Sequence, residues 1–265
     1  MKKINLTCWG GVGAVTGANF LIEGEFGKML VDCGLRQGDH FAEGENYENF
    51  PYNPKDIDVL VITHAHMDHI GRIPKLVRDG FEGVIYSTKE TKLLSEIMYG
   101  DALSLLKNEA FEHKKPPLYE EKDVSKAQSL WQSIAYHESK EFLPELHVQL
   151  KDAGHILGSA MVEVRYGNKK MIFTGDLGNS PSMLRPDTES PEGSDYLLME
   201  SVYGDRNHES HEERDAKFAE VIGATIKRGG TTVIPSFSLE RTQNILYTLN
   251  NLIEDKKIPS VPVYV

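Results

Sequence analysis

The segment Val59-Leu-Val-Ile-Thr-His-Ala-His-Met-Asp-His-Ile-Gly71 constrains this chain more than any other. Its apolar start reads as a short buried strand. The residues after it place His64, His66, Asp68 and His69 in an H-x-H-x-D-H array. Ile70-Gly71 then favours a tight turn. Imidazole and carboxylate are ligands suited to zinc. Alternate positions at a strand end point the same way, so His64 and His66 can share one ion. Asp68 and His69, in the turn beyond, can reach a second.

Two ions need more ligands than one turn supplies, and other strand ends offer them. His155 lies in the glycine-bracketed turn Gly154-His-Ile-Leu-Gly-Ser159, after an apolar strand. Asp176 tips the turn of Met171-Ile-Phe-Thr-Gly-Asp-Leu-Gly178. Either residue alone is weak evidence, since Gly-Asp is a common turn dipeptide. Their weight comes from the set.

The order H-x-H-x-D-H, then Gly-His-x-x-Gly-Ser, then Thr-Gly-Asp-x-Gly resembles the metallo-β-lactamase superfamily. Leu198-Met-Glu-Ser-Val-Tyr-Gly-Asp-Arg-Asn-His208 is similar to the signature that opens its β-CASP branch. Pro235-Ser-Phe-Ser-Leu-Glu-Arg-Thr-Gln-Asn-Ile-Leu-Tyr247 resembles the following element of the RNA-processing members. Trp9 to Ile22 and Leu30 to Gly38 match the bacterial RNA metallohydrolases, so the resemblance runs through essentially the whole chain. Ala14 and Ala18 depart from it, standing where those relatives usually carry Glu and Ser.

The resemblance implies an α/β fold: a metallo-β-lactamase αββα four-layer sandwich over 1–195, then the start of a β-CASP α/β domain over 196–265. In the family the chain returns after that insertion and brings two more histidines, one a metal ligand and one catalytic. The expectation here is that the C-terminal part is absent, and that a missing segment or a partner chain completes the site. The implied cofactor is Zn2+, two per complete site. His64, His66 and His155 would hold one ion, Asp68 and His69 the other, with Asp176 bridging. The implied activity is hydrolysis of single-stranded RNA by metal-activated water, as an endoribonuclease with exonuclease action as a second mode. Asp68 and Glu200 are the candidate catalytic residues: Asp68 orients the water, and Glu200 resembles the acid that supports the absent histidine. Glu200 reads equally well as a capping or ion-paired carboxylate. Ser236, Ser238 and Arg241 are candidate phosphate contacts, because Arg binds phosphate bidentately and a helix start offers free N–H groups. Arg241 also reads as a structural ion pair. His208 and His211 read as solvated loop residues, and His40, His113, His137 and His147 as structural.

Two other functions stay open on the sequence: hydrolysis of a small ester, thioester or lactone, and a non-catalytic RNA-binding scaffold. The chain has 265 residues, 40% of them hydrophobic, enough for a sizeable core. Its formal charge of −11 argues against a protein that simply coats nucleic acid. That charge does not exclude a nuclease with a local basic groove, since two divalent ions add about four positive charges. No run approaches the ~20 apolar residues of a membrane span. The start, Met1-Lys-Lys-Ile-Asn-Leu-Thr-Cys-Trp-Gly, lacks the apolar stretch of a signal peptide, so a cytoplasmic location is expected. A homodimer is an allowed assembly. Cys8 and Cys33 read as reduced and buried.

Periodicity predicts helices at 73–79, 91–110, 121–137, 211–228 and 239–254. It predicts strands at 83–87, 146–150, 161–166, 171–174 and 231–235. Leu93, Leu94, Ile97 and Met98 form the expected buried stripe of the second helix, and Leu130, Trp131 and Ile134 that of the third. Pro181 to Gly193 holds several turn formers, which puts a domain boundary near 195.

Overall fold

The computed structural model describes residues 3–38, 44–207 and 209–265, without the side chains of Glu109, His113 and His211. His40 and His208 lie outside the described residues. The chain divides into two compact units, Met1–Glu200 and Ser201–Val265.

The first unit is built on two sheets. Strands β1 (Ile4–Gly10), β2 (Asn19–Gly24), β3 (Gly27–Val31), β4 (Val59–Val61), β5 (Val84–Ser87) and β6 (Trp131–Ser133) lie side by side in chain order. The first three pair antiparallel and the rest parallel. The second sheet, in the order β11-β10-β9-β8-β7, comprises β7 (Lys140–Leu143), β8 (Leu146–Asp152), β9 (Ala160–Tyr166), β10 (Lys169–Phe173) and β11 (Tyr196–Leu198). Because β11 pairs in parallel with β10, residues 196–198 belong to the first unit.

Side-chain alternation explains why the two sheets pack. Met29, Val31, Val59 and Val61 from one sheet form a single buried cluster with Val148, Leu150, Val162, Val164 and Phe173 from the other. The intervening Leu30 and Leu60 point to the opposite face and are equally buried. Sequence-adjacent to β4 and β5 are helices α1 (Met67–Ile70), α2 (Ile73–Arg78), α3 (Lys89–His113) and α4 (Glu121–Ser129). Trp131 donates its indole N–H to Ser87 Oγ (2.8 Å) and Lys92 of α3 donates to the Trp131 carbonyl (2.8 Å), so α3 is fastened to the sheet edge. Two sheets packed face to face with helices beside them accord with the sandwich architecture expected from the sequence.

Four local expectations are corrected. The helix expected over 121–137 stops at Ser129, because Trp131 pairs with Ile85 and the sheet gains a strand there. On α3 the expected stripe is wrong: Leu93 and Ile97 are 51% and 66% exposed, while Thr91, Ser95, Tyr99 and Leu106 are buried. Tyr99 sets that face by donating its hydroxyl to the Ile70 carbonyl, 2.9 Å away. Residues 231–235 form no strand, since the second unit holds no pairing strand among its described residues, and a lone strand has nothing to bond. Cys33 is buried and free, but Cys8 is exposed.

The second unit consists of α5 (His211–Lys227) and α6 (Arg241–Glu254) around a small core of Ile222, Leu249, Leu252 and Ile258. Ser210 and Glu213 form a reciprocal capping box that starts α5.

Candidate metal centre

Parallel strands bring their C-terminal ends to one side of a sheet, and that rule places the residues of interest. Asp32 follows β3 and the His64–His69 turn follows β4, its parallel neighbour. The two segments are clamped by main-chain bonds, Cys33 N–H to the His69 carbonyl (2.8 Å) and Leu35 N–H to the Met67 carbonyl (2.9 Å). A Cβ on Gly34 would overlap the Asp68 carbonyl oxygen, so only glycine permits this approach. The second sheet joins through Ala160 N–H, which donates to the Thr63 carbonyl (2.7 Å). Ser159 Oγ accepts the His155 N–H (2.9 Å) and so holds the turn that carries this histidine.

All six residues expected to ligate metal converge. His64, His66, His155 and Asp176 form one set and Asp68, His69 and Asp176 another, with the donor atoms in each within 4.8 Å of one another. His64 Nε2 is 3.0 Å from His66 Nδ1, which is 3.1 Å from His155 Nε2. Asp176 Oδ2 is 3.6 Å from His64 Nε2 and 3.5 Å from His155 Nε2. The other oxygen, Oδ1, is 3.2 Å from His69 Nε2, with Asp68 Oδ2 3.8 Å from the same nitrogen. A tetrahedral centre with ligand bonds of about 2.0–2.1 Å has edges of roughly 3.3–3.4 Å, so these spacings suit donors gathered around ions.

The protonation states of His64, His66, His155 and Asp176 suit ligation too. Burial, with the neighbouring imidazoles, holds His64 well below the usual histidine range, and burial lowers His66. Burial takes His155 down to about 4, against the opposing pull of Asp176. Those three rings are neutral near pH 7. Asp176 moves the other way: burial would raise it, but His69 and the other imidazoles bring it down to about 2. Asp68 is raised by burial and by Asp176. Burial would lower His69 as well, yet Asp32 and Asp176 outweigh it and raise it well above the usual range.

Two further residues fix the rings: Asp32, which the sequence places at the end of a strand on the site side without a role, and Thr63, which it does not single out. Asp32, buried and left-handed at φ 59°, accepts the Thr63 N–H (2.8 Å) and the Thr63 hydroxyl (2.8 Å). Its Oδ2 lies 2.7 Å from His69 Nδ1. A carboxylate can only accept, so Nδ1 carries a proton, and Nε2 is the nitrogen left to ligate once an ion displaces its own proton. That Nε2 is buried and has no aligned hydrogen bond among the described residues, as a metal-facing atom would. Having given its proton to Asp32, the Thr63 hydroxyl is free to accept from His64 Nδ1 (3.1 Å), which turns His64 Nε2 toward the cluster. The only sequence signal was the Asp-Cys-Gly turn after β3.

Glu200 Oε1 accepts the Leu177 N–H (3.3 Å), and the Glu200 N–H donates to Thr174 Oγ1 (3.2 Å). It therefore braces the turn that carries Asp176. Ser236, Ser238 and Arg241 lie in the second unit, all exposed. Arg241 opens α6, and Ser236 Oγ accepts from Thr242 Oγ1 (3.2 Å). His137 pairs with Glu189 at 3.2 Å and His147 is exposed on β8.

A family model described as the metallo-beta-lactamase superfamily matches residues 12–219. A ribonuclease of Thermus thermophilus is 36% identical over 256 residues, covering 97% of this chain and 56% of that protein. The transcription termination factor FttA of Methanosarcina mazei is 32% identical, over 98% of this chain and 41% of its own length. An RNase J-like protein of Methanocaldococcus jannaschii is 32% identical, over 92% of this chain and 53% of its own. The chain spans about half the length of these curated relatives.

Proposed function

The chain belongs to the metallo-beta-lactamase superfamily, a group that depends on metal, and from that premise we propose that it is the catalytic region of a zinc-dependent ribonuclease acting on single-stranded RNA. The observation that carries this reading is the split of the Asp176 carboxylate, one oxygen facing His64 and His155 and the other facing His69. His64, His66 and His155 would hold one ion, Asp68 and His69 the second, and Asp176 both. A bound pair of such ions acidifies water and neutralises phosphoryl oxygens. Imidazole-rich donor sets favour zinc over harder cations.

The chain's own groups do the rest. Asp68 would orient the attacking water and take up its proton. Thr63 and Asp32 hold the rings of His64 and His69 in one tautomer. Glu200 positions the Asp176 turn. Ser236, Ser238 and Arg241 would grip the RNA backbone from the second unit, which we take as the start of a β-CASP domain. RNA as substrate draws on the ribonuclease and RNase J-like relatives, and a cytoplasmic location goes with that reading. No described helix is long and apolar enough to cross a membrane.

The test is incubation of the zinc-loaded chain with end-labelled single-stranded RNA, alongside a DNA oligonucleotide and a thioester. RNA cleavage is expected, stopped by chelator and reduced at least 1000-fold, on the order of 4 kcal/mol, in His64→Ala and Asp68→Asn. Undiminished cleavage by either variant would sink the mechanism. Preferential thioester hydrolysis would point to the small-molecule reading, and RNA retention without cleavage to a scaffold.

A further inference from the structure

Apart from the candidate metal centre, the first unit holds a cavity of about 200 Å³ that the reaction does not use, lined by Trp9, Glu48, Asn49, Phe50 and Arg72 among others. Arg72 is 6% exposed. Its Nε donates to the Gly34 carbonyl (2.6 Å), and its guanidinium carbon lies 5.3 Å from the centre of the Phe50 ring. Among the described residues no carboxylate lies within ion-pair reach of it. A buried cation without a counter-charge is costly, and its four remaining N–H donors call for acceptors. Trp9 Nε1 is likewise buried, with no hydrogen-bond partner among the described residues. Glu45, which also lines the cavity, is already paired with Arg36. The exposed Glu48 makes no ion pair or side-chain hydrogen bond among the described residues, so the cavity offers idle donors and an idle carboxylate together.

The volume falls below the ~300–1,000 Å³ of sites for drug-sized ligands, so the occupant is small. An anion alone would leave Glu48 opposed to it, and a cation would oppose Arg72. A ligand that carries acceptors and donors on one flat frame satisfies both, and Trp9 Nε1 lies in the lining of the same cavity as a further donor. Guanine alone among the four RNA bases pairs two adjacent acceptors, O6 and N7, which arginine takes bidentately, with adjacent N1–H and N2–H donors suited to a carboxylate. Adenine sets a donor beside N7, and the pyrimidines have no such pair of acceptors.

We propose that this cavity is a guanine-binding site, with Arg72 donating to O6 and N7, Glu48 accepting from N1–H and N2–H, and Trp9 Nε1 as a further donor. It names a base preference for the RNA reading above but stands on the cavity alone. Calorimetric titration of the whole chain with 5′-GMP, AMP, CMP and UMP tests it. GMP is expected to bind at least tenfold tighter than the others. Glu48→Gln, an exposed and fold-neutral change, removes that preference while melting temperature and circular dichroism stay as in the wild type, and Trp9→Phe weakens GMP severalfold. No GMP binding, equal binding of all four, or an intact preference in Glu48→Gln would overturn the proposal. Displacement of GMP by an oligonucleotide with one unpaired guanine assigns the base to RNA; binding of GMP without displacement assigns a free guanine nucleotide. A chain that binds GMP and leaves RNA intact would refute the nuclease reading alone.

Discussion

At the scale of single residues, the metal centre depends on atoms that never touch a metal. Asp32 Oδ2 accepts from both Thr63 Oγ1 and His69 Nδ1, and Thr63 passes the constraint on to His64. Asp32→Asn keeps the shape of the side chain and its tolerance of the left-handed backbone, but an amide cannot accept two protons where its NH2 now stands. One ring loses its fixed tautomer. Loss of such a support costs about 10–100-fold in metal affinity, and competition with a chromophoric zinc chelator measures it; unchanged affinity would remove Asp32 from the site. The clustering of the six candidate ligands was legible because four of them crowd one turn and the others sit at strand ends. Asp32 was legible as a strand end on the site side but its role was not, because a lone carboxylate after a strand looks like any turn residue until the parallel neighbour places it beside His69.

At the scale of elements, pairing partners distant in the chain decided what local pattern could not. Trp131 and Ile134 are three apart and both buried, which imitates a helix stripe, yet Trp131 pairs with Ile85 and Ile134 N–H donates to the Ser87 carbonyl. The main strands and helices were legible from periodicity. The buried face of α3 was not, because it is lined by Thr91, Ser95 and Tyr99, which no hydropathy pattern marks. A similar surprise sits on β9, where Glu163 is 1% exposed on a central strand. Lys170 and Arg165 contact its carboxylate at 2.8 and 2.6 Å. Burial would raise its pKa, but these two cations outweigh burial and hold it below the usual carboxylate value. A depressed carboxylate contributes stability that is full above its unfolded pKa and lost as pH falls through the folded one. Glu163→Gln is therefore expected to cost about 1–3 kcal/mol near pH 7. The gap to wild type narrows as pH drops below the carboxylate range. Urea unfolding at pH 7 and pH 3.5 reads both, and a gap that widens in acid would contradict the ion-pair account.

At the scale of the whole molecule, every candidate ligand lies in Met1–Glu200, while Ser201–Val265 keeps a separate small core of Ile222, Leu249, Leu252 and Ile258. A small unit buries a lower fraction of its surface and is correspondingly marginal. Two heat-absorbing transitions are thus expected in calorimetry of the intact chain, the second unit melting first. Ions that bind only the folded first unit raise its stability by mass action, about 4 kcal/mol at a thousandfold excess over the dissociation constant. For a unit of this size that is a shift of roughly 8–16 °C. A chelator should lower the upper transition by that amount and leave the lower one in place. If both transitions fall together, the second unit shares in holding the metal; if neither moves, the gathered histidines and carboxylates do not bind ions at all. The same scan tests the role proposed above for Arg241 and its neighbouring serines: if they bind RNA and contribute nothing to metal affinity, Arg241→Ala should weaken RNA binding and leave the chelator-sensitive transition where it was.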